Sequence, residues 1–576
     1  MRARLCRYAA ALAFLVIPTT ALAQLVPPTV LPGSVLPGRE RERFVDPPAA
    51  RAQPRGATIS LPSTTAPEGA ENIKLVVRGV TITGSTVYSA DDLAPLYADL
   101  VGHEVSLQAV YDLAQRITAK YGKDGYVLSR AVVPPQELSP GGAVVKIQVV
   151  EGYVDKVVWP AKLARYRNFF SYYEAQIVAD RPVNIRTLER YLLLLGDLPG
   201  FKVATKLEPS KTHEAASTLV VEVTEKPLEL AGRVDNHGSK SRGPGEFLGS
   251  ATVNNILGAH EAFTATYAGA TQLRELQYVA ANYRQVLNGE GLTAFANASY
   301  SWGRPGPPVD PALEYKTRSL YGETGLSYPW IRSRERNLTF TGLAFVSDAD
   351  SDVHDEALFR DRLRGVRLKA DGDLADQFRG INLVNFTFSR GIEGLGSTDN
   401  ANPLASRPGG RVDFSKIEFT YARLQPLFWQ FSAFVSAYAQ YAFNPLLAPE
   451  LCGYGGRIYG RAYDPSELVG DRCWMVLGEL RLDLPLPAGL VSLAQLYAFA
   501  DHGRLTNIQS ASVGAPLIGP NGLPITAPFG NVSEGSSLGA GLRLGWQYLQ
   551  SDFYVAKAIE GIREDTRFFF VVTARN

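Results

Sequence analysis

Methionine, histidine and cysteine are scarce in this sequence of 576 residues, which has 2 Met, 6 His and 3 Cys. Long apolar runs are also missing, because residues 9–17 fall well short of the ~20 residues that a membrane-spanning helix needs and no later stretch comes closer. His-Glu-x-x-His and nucleoside triphosphate motifs are absent. We therefore predict neither an enzyme nor a cofactor or metal site.

The N-terminus has the pattern of a secretory signal peptide over residues 1–23. Arg2, Arg4 and Arg7 precede the apolar run, and Ala21-Leu22-Ala23 is a small-x-small cleavage site. Removing these three arginines from the 58 basic residues leaves the chain close to neutral against its 57 acidic residues. A nucleic-acid partner usually requires a basic face, so we predict none.

Cysteine usage agrees with export from the cytoplasm. Cys6 is removed with the signal peptide, whereas Cys452 and Cys473 remain as an even pair in an oxidising compartment. We expect a disulfide between them.

Residues 24–70 are rich in proline, which removes backbone donors and prevents long helices. We expect a flexible tether there. Only residues 39–44 could form a short, charged helix, and this helix could plug the barrel.

Residues 71–226 predict two small binding modules, 71–153 and 154–226, with the same β-α-α-β-β order. In the first, apolar residues recur at helical spacing after Ser106, and residues 127–133 and 144–150 have strand patterns. Neither module offers metal-ligand spacing or a nucleophile beside a base. The edge of a small three-stranded sheet can, however, pair with an extended peptide.

From residue 227 onward the apolar pattern has a period of two, as in 415–423 and 476–484. We predict about sixteen strands of ~9–11 residues, the length that a tilted strand needs to cross a bilayer. Short connections alternate with long ones, which favours an antiparallel 16-stranded transmembrane β-barrel over a soluble sandwich. The long connections are predicted at 303–315, 349–360, 391–411, 444–472 and 502–534.

Several strings resemble the TpsB transporters of two-partner secretion, a family in the outer-membrane superfamily that also contains barrel-assembly proteins. They occur in the family's order at residues 131–136, 149–152, 188–200, 235–239 and 254–258. The resemblance implies α+β POTRA domains in the periplasm, followed by an all-β barrel in the outer membrane of a Gram-negative cell. It also implies a partner-binding region, which we place at Val127, Val132, Val133, Tyr191, Leu194 and Phe201.

In this family the sixth outer loop folds into the barrel. A Val-Arg-Gly-Tyr/Phe motif at its tip meets a Phe-x-Asp-x-Gly motif on the thirteenth strand. Counting strands makes the connection 444–472 the sixth loop. The motif residues are then Arg461 and Tyr463 on the loop and Phe499, Asp501 and Gly503 on the strand.

The resemblance implies that these five residues form a latch, with Arg461 pairing with Asp501. Gly460 and Ala462 depart from the motif, standing at its Val and Gly positions. Cys473 replaces a usual Gly, which would let it pair with Cys452 across the base of the loop.

The resemblance further implies a translocase for one large, β-rich exoprotein of adhesin or haemolysin type. The unfolded partner would bind the POTRA domains and thread through the barrel without nucleotide hydrolysis. Outer-membrane lipid and the barrel-assembly machinery that inserts the chain would be further partners. The alternatives are a barrel-assembly factor and a passive porin, although a porin has no use for residues 71–226.

Overall fold

The computed structural model describes most of the chain after residue 32. The predicted signal peptide 1–23 lies outside the described residues. Among the helices that are described, none has the length and apolarity to cross a bilayer. The described residues are 33–44, 50–53, 65–139, 141–213, 215–407, 409–486, 489, 491–508, 517–518, 524–525, 532–560 and 565–576.

The first module is a four-stranded sheet covered by one long helix, Leu107–Lys123. The Ser106 hydroxyl caps this helix by accepting the Ala109 N–H at 3.3 Å, and the buried face of the helix packs on the sheet. The predicted three-stranded sheet gains a short edge strand, because the residues just before the cap pair with the first strand. In spatial order the strands are Glu104–Ser106, Lys74–Thr83, Ala143–Val150 and Arg130–Val132, and the shorter helices are Ala90–Leu93 and Ala94–Leu96.

The second module repeats this order with three strands, Tyr153–Val158, Ala216–Glu225 and Phe201–Pro209, in that spatial sequence. Two helices, Arg167–Ala179 and Ile185–Gly196, cover the sheet after the 3₁₀ turn Ala161–Tyr166.

The core of the second module corrects part of the predicted partner-binding region. Tyr191, Leu194 and Phe201 are buried there, because they lie on the helix face and strand end that pack together. They cannot offer an exposed surface. Val127 and Val132 in the first module, like Val133, remain partly exposed.

Sixteen antiparallel strands close into a barrel, as the period-two pattern predicts. Closure joins the last strand to the first through the pairing of Val571 to Arg575 with Asp235 to Ala231. The strands are Leu228–Asp235, Glu246–Asn254, Glu261–Ala270, Gln277–Val286, Thr293–Gly303, Lys316–Arg332, Arg336–Val353, Glu356–Ala375, Ile381–Gly391, Ser415–Pro426, Phe431–Ala442, Arg472–Asp483, Leu493–Thr506, Val532–Gly545, Leu549–Glu560 and Thr566–Arg575.

Strand lengths range from 8 to 20 residues, so the predicted range was too narrow. The predicted long loop at 349–360 is wrong, because strands seven and eight continue through it to a turn at His354 and Asp355. Ion pairs between outward-facing side chains extend this hairpin, such as Arg362 Nη1 with Asp350 Oδ1 and Arg364 Nη1 with Asp348 Oδ1, both at 2.6 Å.

Residues 33–44 pack inside the barrel, which corrects the expectation of a flexible tether for this part of 24–70. They form a 3₁₀ turn, Gly33–Val35, and a short helix, Glu40–Phe44. Arg43 Nη1 lies 3.3 Å from Glu246 Oε1 on the second strand. Glu40 Oε1 lies 3.1 Å from Nη2 of Arg242, which is fully buried in the first outer loop.

The second module docks on the periplasmic turns of the barrel. His260, in the turn before the third strand, is 4% exposed. Its ring packs at a tilt against Phe169 and Tyr166, with 4.1 and 5.0 Å between the ring centroids. Arg332 makes a bidentate contact with Asp197 at 2.7 and 2.9 Å. The junction therefore combines an aromatic cluster with an ion pair.

This junction should be sensitive to acid. Burial lowers the pKa of His260 from 6.5 to about 4, against the opposing effect of the Glu261 carboxylate. Between these values an undocked imidazole binds a proton that the docked one excludes. We predict that lowering the pH from 6.5 towards 4 reduces the protection of the helix Arg167–Ala179 against hydrogen exchange, measured relative to the intrinsic exchange rate at each pH, and that His260→Leu reduces this pH dependence.

The matched control is His103→Leu, which changes an exposed histidine of the first module. An identical pH profile for the wild type and His260→Leu would contradict the prediction.

Candidate functional site: the sixth loop inside the barrel

The sixth loop, residues 443–471, folds back into the barrel on a two-stranded stalk. Cys452–Tyr454 pairs antiparallel with Leu468–Gly470, and residues 455–467 form the tip. A disulfide joins Cys452 to Cys473, the second residue of the twelfth strand, with 6.5 Å between their Cα atoms. The base of the stalk is thereby fixed beside the wall on which its tip rests.

Asp501 is the acceptor that receives the tip, and it is 4% exposed. Its Oδ1 accepts the Tyr454 hydroxyl at 2.5 Å and the Gly460 N–H at 2.9 Å. Its Oδ2 accepts the Ser537 hydroxyl at 2.7 Å and the Arg461 N–H at 3.5 Å. One carboxylate therefore joins the stalk, the tip and the fourteenth strand.

The guanidinium of Arg461 pairs with Glu479 on the twelfth strand, with 2.6 Å between Nη2 and Oε1. It also lies over the Phe499 ring, 4.5 Å from the centroid. The expected pairing of this guanidinium with Asp501 is thus corrected, because Arg461 reaches Asp501 through its backbone N–H. The tip therefore contacts two neighbouring strands. Glu479 binds the guanidinium of Arg461, and Asp501 accepts backbone N–H groups of the tip.

Glu479 collects three guanidinium groups although its side chain is fully buried. Besides Arg461, it contacts Arg481 at 2.7 Å and Arg543 at 2.9 Å. Hydrogen bonds to several donors offset the cost of burying a carboxylate. The cluster connects the loop tip to strands twelve and fourteen.

Gly503 and Tyr463 contribute differently to the packing of the loop against the barrel wall. A Cβ atom on Gly503 would lie 2.4 Å from Cδ2 of Tyr454, so only glycine leaves room for this ring. The Tyr463 hydroxyl donates to the Glu560 carbonyl and accepts the Ser536 N–H at 3.2 Å. Within the Gly460–Tyr463 motif the positive φ belongs to Gly460, at 69°, and not to Ala462.

Sequence reasoning missed Tyr454, Glu479, Ser537 and Arg543. The sequence could have indicated Glu479, because the alternation of the twelfth strand places it on the same face as Leu477 and Arg481. The other three lie outside both motifs, and only the folded loop brings them together.

A second set of buried charges holds the upper part of the loop. Asp471 Oδ1 accepts Arg407 Nη1 of the fifth loop at 2.5 Å, and both side chains are fully buried. Asp471 Oδ2 accepts the Ile508 N–H of the seventh loop at 2.7 Å. Glu450 pairs with Arg367 at 2.5 Å and Lys416 at 3.0 Å. Loops five, six and seven therefore share one polar anchor.

The N-terminal segment rests on the sixth loop. Arg39 donates through Nη1 to the Leu451 carbonyl and through Nε to the Ser466 hydroxyl at 3.2 Å. A Cβ atom on Gly33 would lie 2.4 Å from the Ser466 carbonyl oxygen. The segment and the loop are thus in close contact inside the barrel.

Two known family models match this chain. The family of haemolysin secretion/activation proteins ShlB/FhaC/HecB matches residues 216–520, and the ShlB-type POTRA domain matches residues 75–152. The chain belongs to this family. Its relatives confirm the predicted outer-membrane location and two-partner secretion class.

Two curated relatives illustrate the range of similarity. The outer membrane transporter CdiB of Dickeya dadantii (strain 3937) is 23% identical over 485 residues, which is 77% of this chain and 78% of the relative. The heme/hemopexin transporter protein HuxB of Haemophilus influenzae is 26% identical over 211 residues, 36% of this chain and 37% of the relative.

Solved structures show the same fold. CdiB from Escherichia coli matches with a TM-score of 0.66 at 19% identity, covering 90% of this chain and 93% of that one. CdiB from Acinetobacter baumannii matches with a TM-score of 0.59 at 16% identity, covering 92% and 95%.

We predict that Glu479→Gln destabilises the folded barrel by ~3–5 kcal/mol, because it removes a fully buried negative charge that three largely buried guanidinium groups share. The measurement is the temperature at which the barrel loses its heat-modifiable migration in electrophoresis. Glu534→Gln is the matched control, since Glu534 pairs with Arg504 at a site 36% exposed, where a pair contributes ~0–1 kcal/mol. Equal shifts in the two variants would contradict the prediction.

We also predict that Cys452 and Cys473 are oxidised in the exported chain. The unfolded, unreduced protein should then take up no maleimide, and reduction should expose both thiols. Cys452→Ser should leave Cys473 reactive without reduction. Labelling of the unreduced wild type would count against the disulfide.

Proposed function

We propose that this chain secretes a large, unfolded exoprotein through its barrel, after the partner binds the two periplasmic modules. The observation that carries the proposal is the content of the lumen. Residues 33–44 and the sixth loop occupy it, and apart from the disulfide at the loop base they are held by non-covalent contacts, polar and apolar. A passing polypeptide can displace such contacts.

The contacts of the tip suit reversible release. A buried ion pair contributes little net stability, because the cost of taking its charges out of water offsets their attraction. When water enters with a translocating chain, Arg461, Glu479 and Asp501 regain solvation. Removing one partner by mutation is different, since it leaves a buried charge uncompensated. The latch therefore fixes one resting arrangement and still opens.

Recognition of an unfolded chain fits the open edge of the second module. Phe201–Pro209 is an edge strand of its sheet, and most of its residues after Phe201 are exposed. An extended peptide can add to such an edge through backbone hydrogen bonds, which require no particular sequence. In the first module, Val127, Val132 and Val133 remain as partly exposed apolar contacts.

The exoprotein that we propose is β-rich and of adhesin or haemolysin type, and the family description names haemolysin secretion. Folding of this partner outside the cell would prevent its return and drive transport without nucleotide hydrolysis. The Phe-x-Asp-x-Gly residues then act as the receiving half of the latch, and Arg461 with Tyr463 as the inserted half.

The test is export by latch variants. Arg461→Ala and Asp501→Ala should each lower secretion by an order of magnitude or more, because the loss of a buried partner, ~3–5 kcal/mol, displaces the tip. The measurement is exoprotein in the medium per folded barrel in the membrane, with a candidate exoprotein chosen from neighbouring genes. Arg362→Ala, on the outward face, is the control and should export normally.

Deleting residues 71–226 provides the second arm of the test. Partner capture in the periplasm should be lost, while the barrel still inserts. Normal export by both latch variants would contradict the latch, and solute uptake that survives the deletion unchanged would identify a porin.

A further inference from the structure

The outward face of strands nine to thirteen is apolar below its outer end. Phe386, Phe419, Trp474 and Leu480 are each 42% to 50% exposed there. Side chains on this face alternate with buried inward ones, as the burial pattern of the twelfth strand shows. In an outer-membrane barrel this surface contacts lipid acyl chains.

On the extracellular side, three arginines lie at the edge of this apolar surface: Arg390, Arg472 and Arg504. The modules precede the first strand, so odd strands run outward and even strands run inward. Arg390 and Arg504 therefore lie near the outer ends of strands nine and thirteen, and Arg472 begins strand twelve. Arg472 is opposite Thr506 in the ladder, two residues after Arg504.

The charges of Arg390 and Arg472 are not neutralised within the described residues. Arg472 donates through Nε to the Ala442 carbonyl at 2.9 Å and lies 4.1 Å from the Tyr441 ring centroid. Arg390 donates to the Ser415 hydroxyl at 2.7 Å. Arg504 alone of the three has a carboxylate partner there, Glu534 at 3.0 Å.

The hairpin of strands seven and eight provides the contrast. Its outward-facing arginines, Arg360, Arg362 and Arg364, pair with a row of aspartates, Asp352, Asp350 and Asp348. In that part of the rim, the aspartates neutralise the charge of the arginines. On strands nine to thirteen the rim presents positive charge with an apolar surface beneath it.

A groove of about 340 Å³ lies where this charge meets the apolar surface. Phe386, Phe419 and Trp474 contribute to its apolar lining, with the ring of Tyr441 beside them. Arg472 and Arg504 also line it. The site thus offers hydrophobic contact and guanidinium donors to one molecule.

We propose that this groove binds a phosphorylated lipid of the outer leaflet, with an acyl chain on the aromatic lining and a phosphate at Arg472. Guanidinium groups bind phosphate through paired, charge-assisted hydrogen bonds. A lipid satisfies both halves of the groove because its anion is covalently attached to its acyl chains. Arg390 lies along the same rim and strengthens the attraction for the anionic headgroup.

The bound lipid would also act near the base of the sixth loop. Cys473 follows Arg472 directly and carries the disulfide that fixes the stalk. An anion at Arg472 therefore holds the start of the twelfth strand at the membrane surface.

The test uses purified, detergent-solubilised protein and bis-phosphorylated lipid A, with native mass spectrometry to measure the bound fraction. The double variant Arg390→Gln/Arg472→Gln should bind about tenfold less than wild type, the change expected from losing a charge-assisted hydrogen bond. Arg364→Gln removes an outward arginine that is paired with Asp348, and it should bind as wild type does. Heat-modifiable migration verifies that each barrel is folded.

Two further experiments distinguish a lipid phosphate from free inorganic phosphate as the bound anion. Dephosphorylated lipid A should bind wild type only as weakly as the phosphorylated lipid binds the double variant. Inorganic phosphate alone should not displace the lipid at millimolar concentration.

The proposal is overturned if dephosphorylated lipid A binds wild type equally well, if phosphate displaces the lipid, or if Arg364→Gln loses as much binding as the double variant. The first result would indicate an apolar groove only. The second would indicate a small-anion site, and the third a general effect of charge.

Discussion

The buried carboxylates that face the lumen are the constraint on which the rest of this barrel depends. Glu479 and Asp501 occupy inward positions on neighbouring strands, and a buried carboxylate without donors is costly. The sixth loop supplies donors to both, through the Arg461 guanidinium and through N–H groups at its tip. The wall and the loop therefore satisfy each other, which explains why a loop of this length lies inside the barrel and not in solvent.

The same reasoning extends to the other contents of the lumen. Glu40 and Arg43 of the N-terminal segment find Arg242 and Glu246, and the segment in turn contacts the sixth loop through Arg39. Above them, Asp471 joins three outer loops. Movement of the loop would break several of these contacts together. The contents of the lumen are thus coupled, by apolar packing as well as by these polar contacts.

The two faces of the barrel use charge differently. Inside the barrel, ion pairs join the N-terminal segment and the sixth loop to residues of the strands and of the first outer loop. Outside, the seventh and eighth strands pair their arginines and aspartates within one hairpin. On the rim of strands nine to thirteen, Arg390 and Arg472 have no carboxylate partner among the described residues. We propose that the contacts in the lumen are released during transport and that this arc of the outer face binds lipid.

Much of this protein is determined by the sequence itself. The period-two pattern predicts sixteen strands and puts the sixth loop and Asp501 on the correct elements, because alternation and connection length are local properties. The lengths of strands seven and eight escaped prediction, since their charged ends resemble a loop until cross-strand ion pairs are seen. The burial of Tyr191, Leu194 and Phe201 also depended on packing between distant segments.

Only the tertiary structure decided which carboxylate each donor of the loop tip meets. Glu479 and Asp501 are both within reach of a folded loop, and either could accept Arg461 as far as sequence position tells. The inserted loop places its guanidinium over Phe499 and its backbone N–H groups at Asp501. That choice follows from the direction of the loop in three dimensions, which a one-dimensional pattern does not contain.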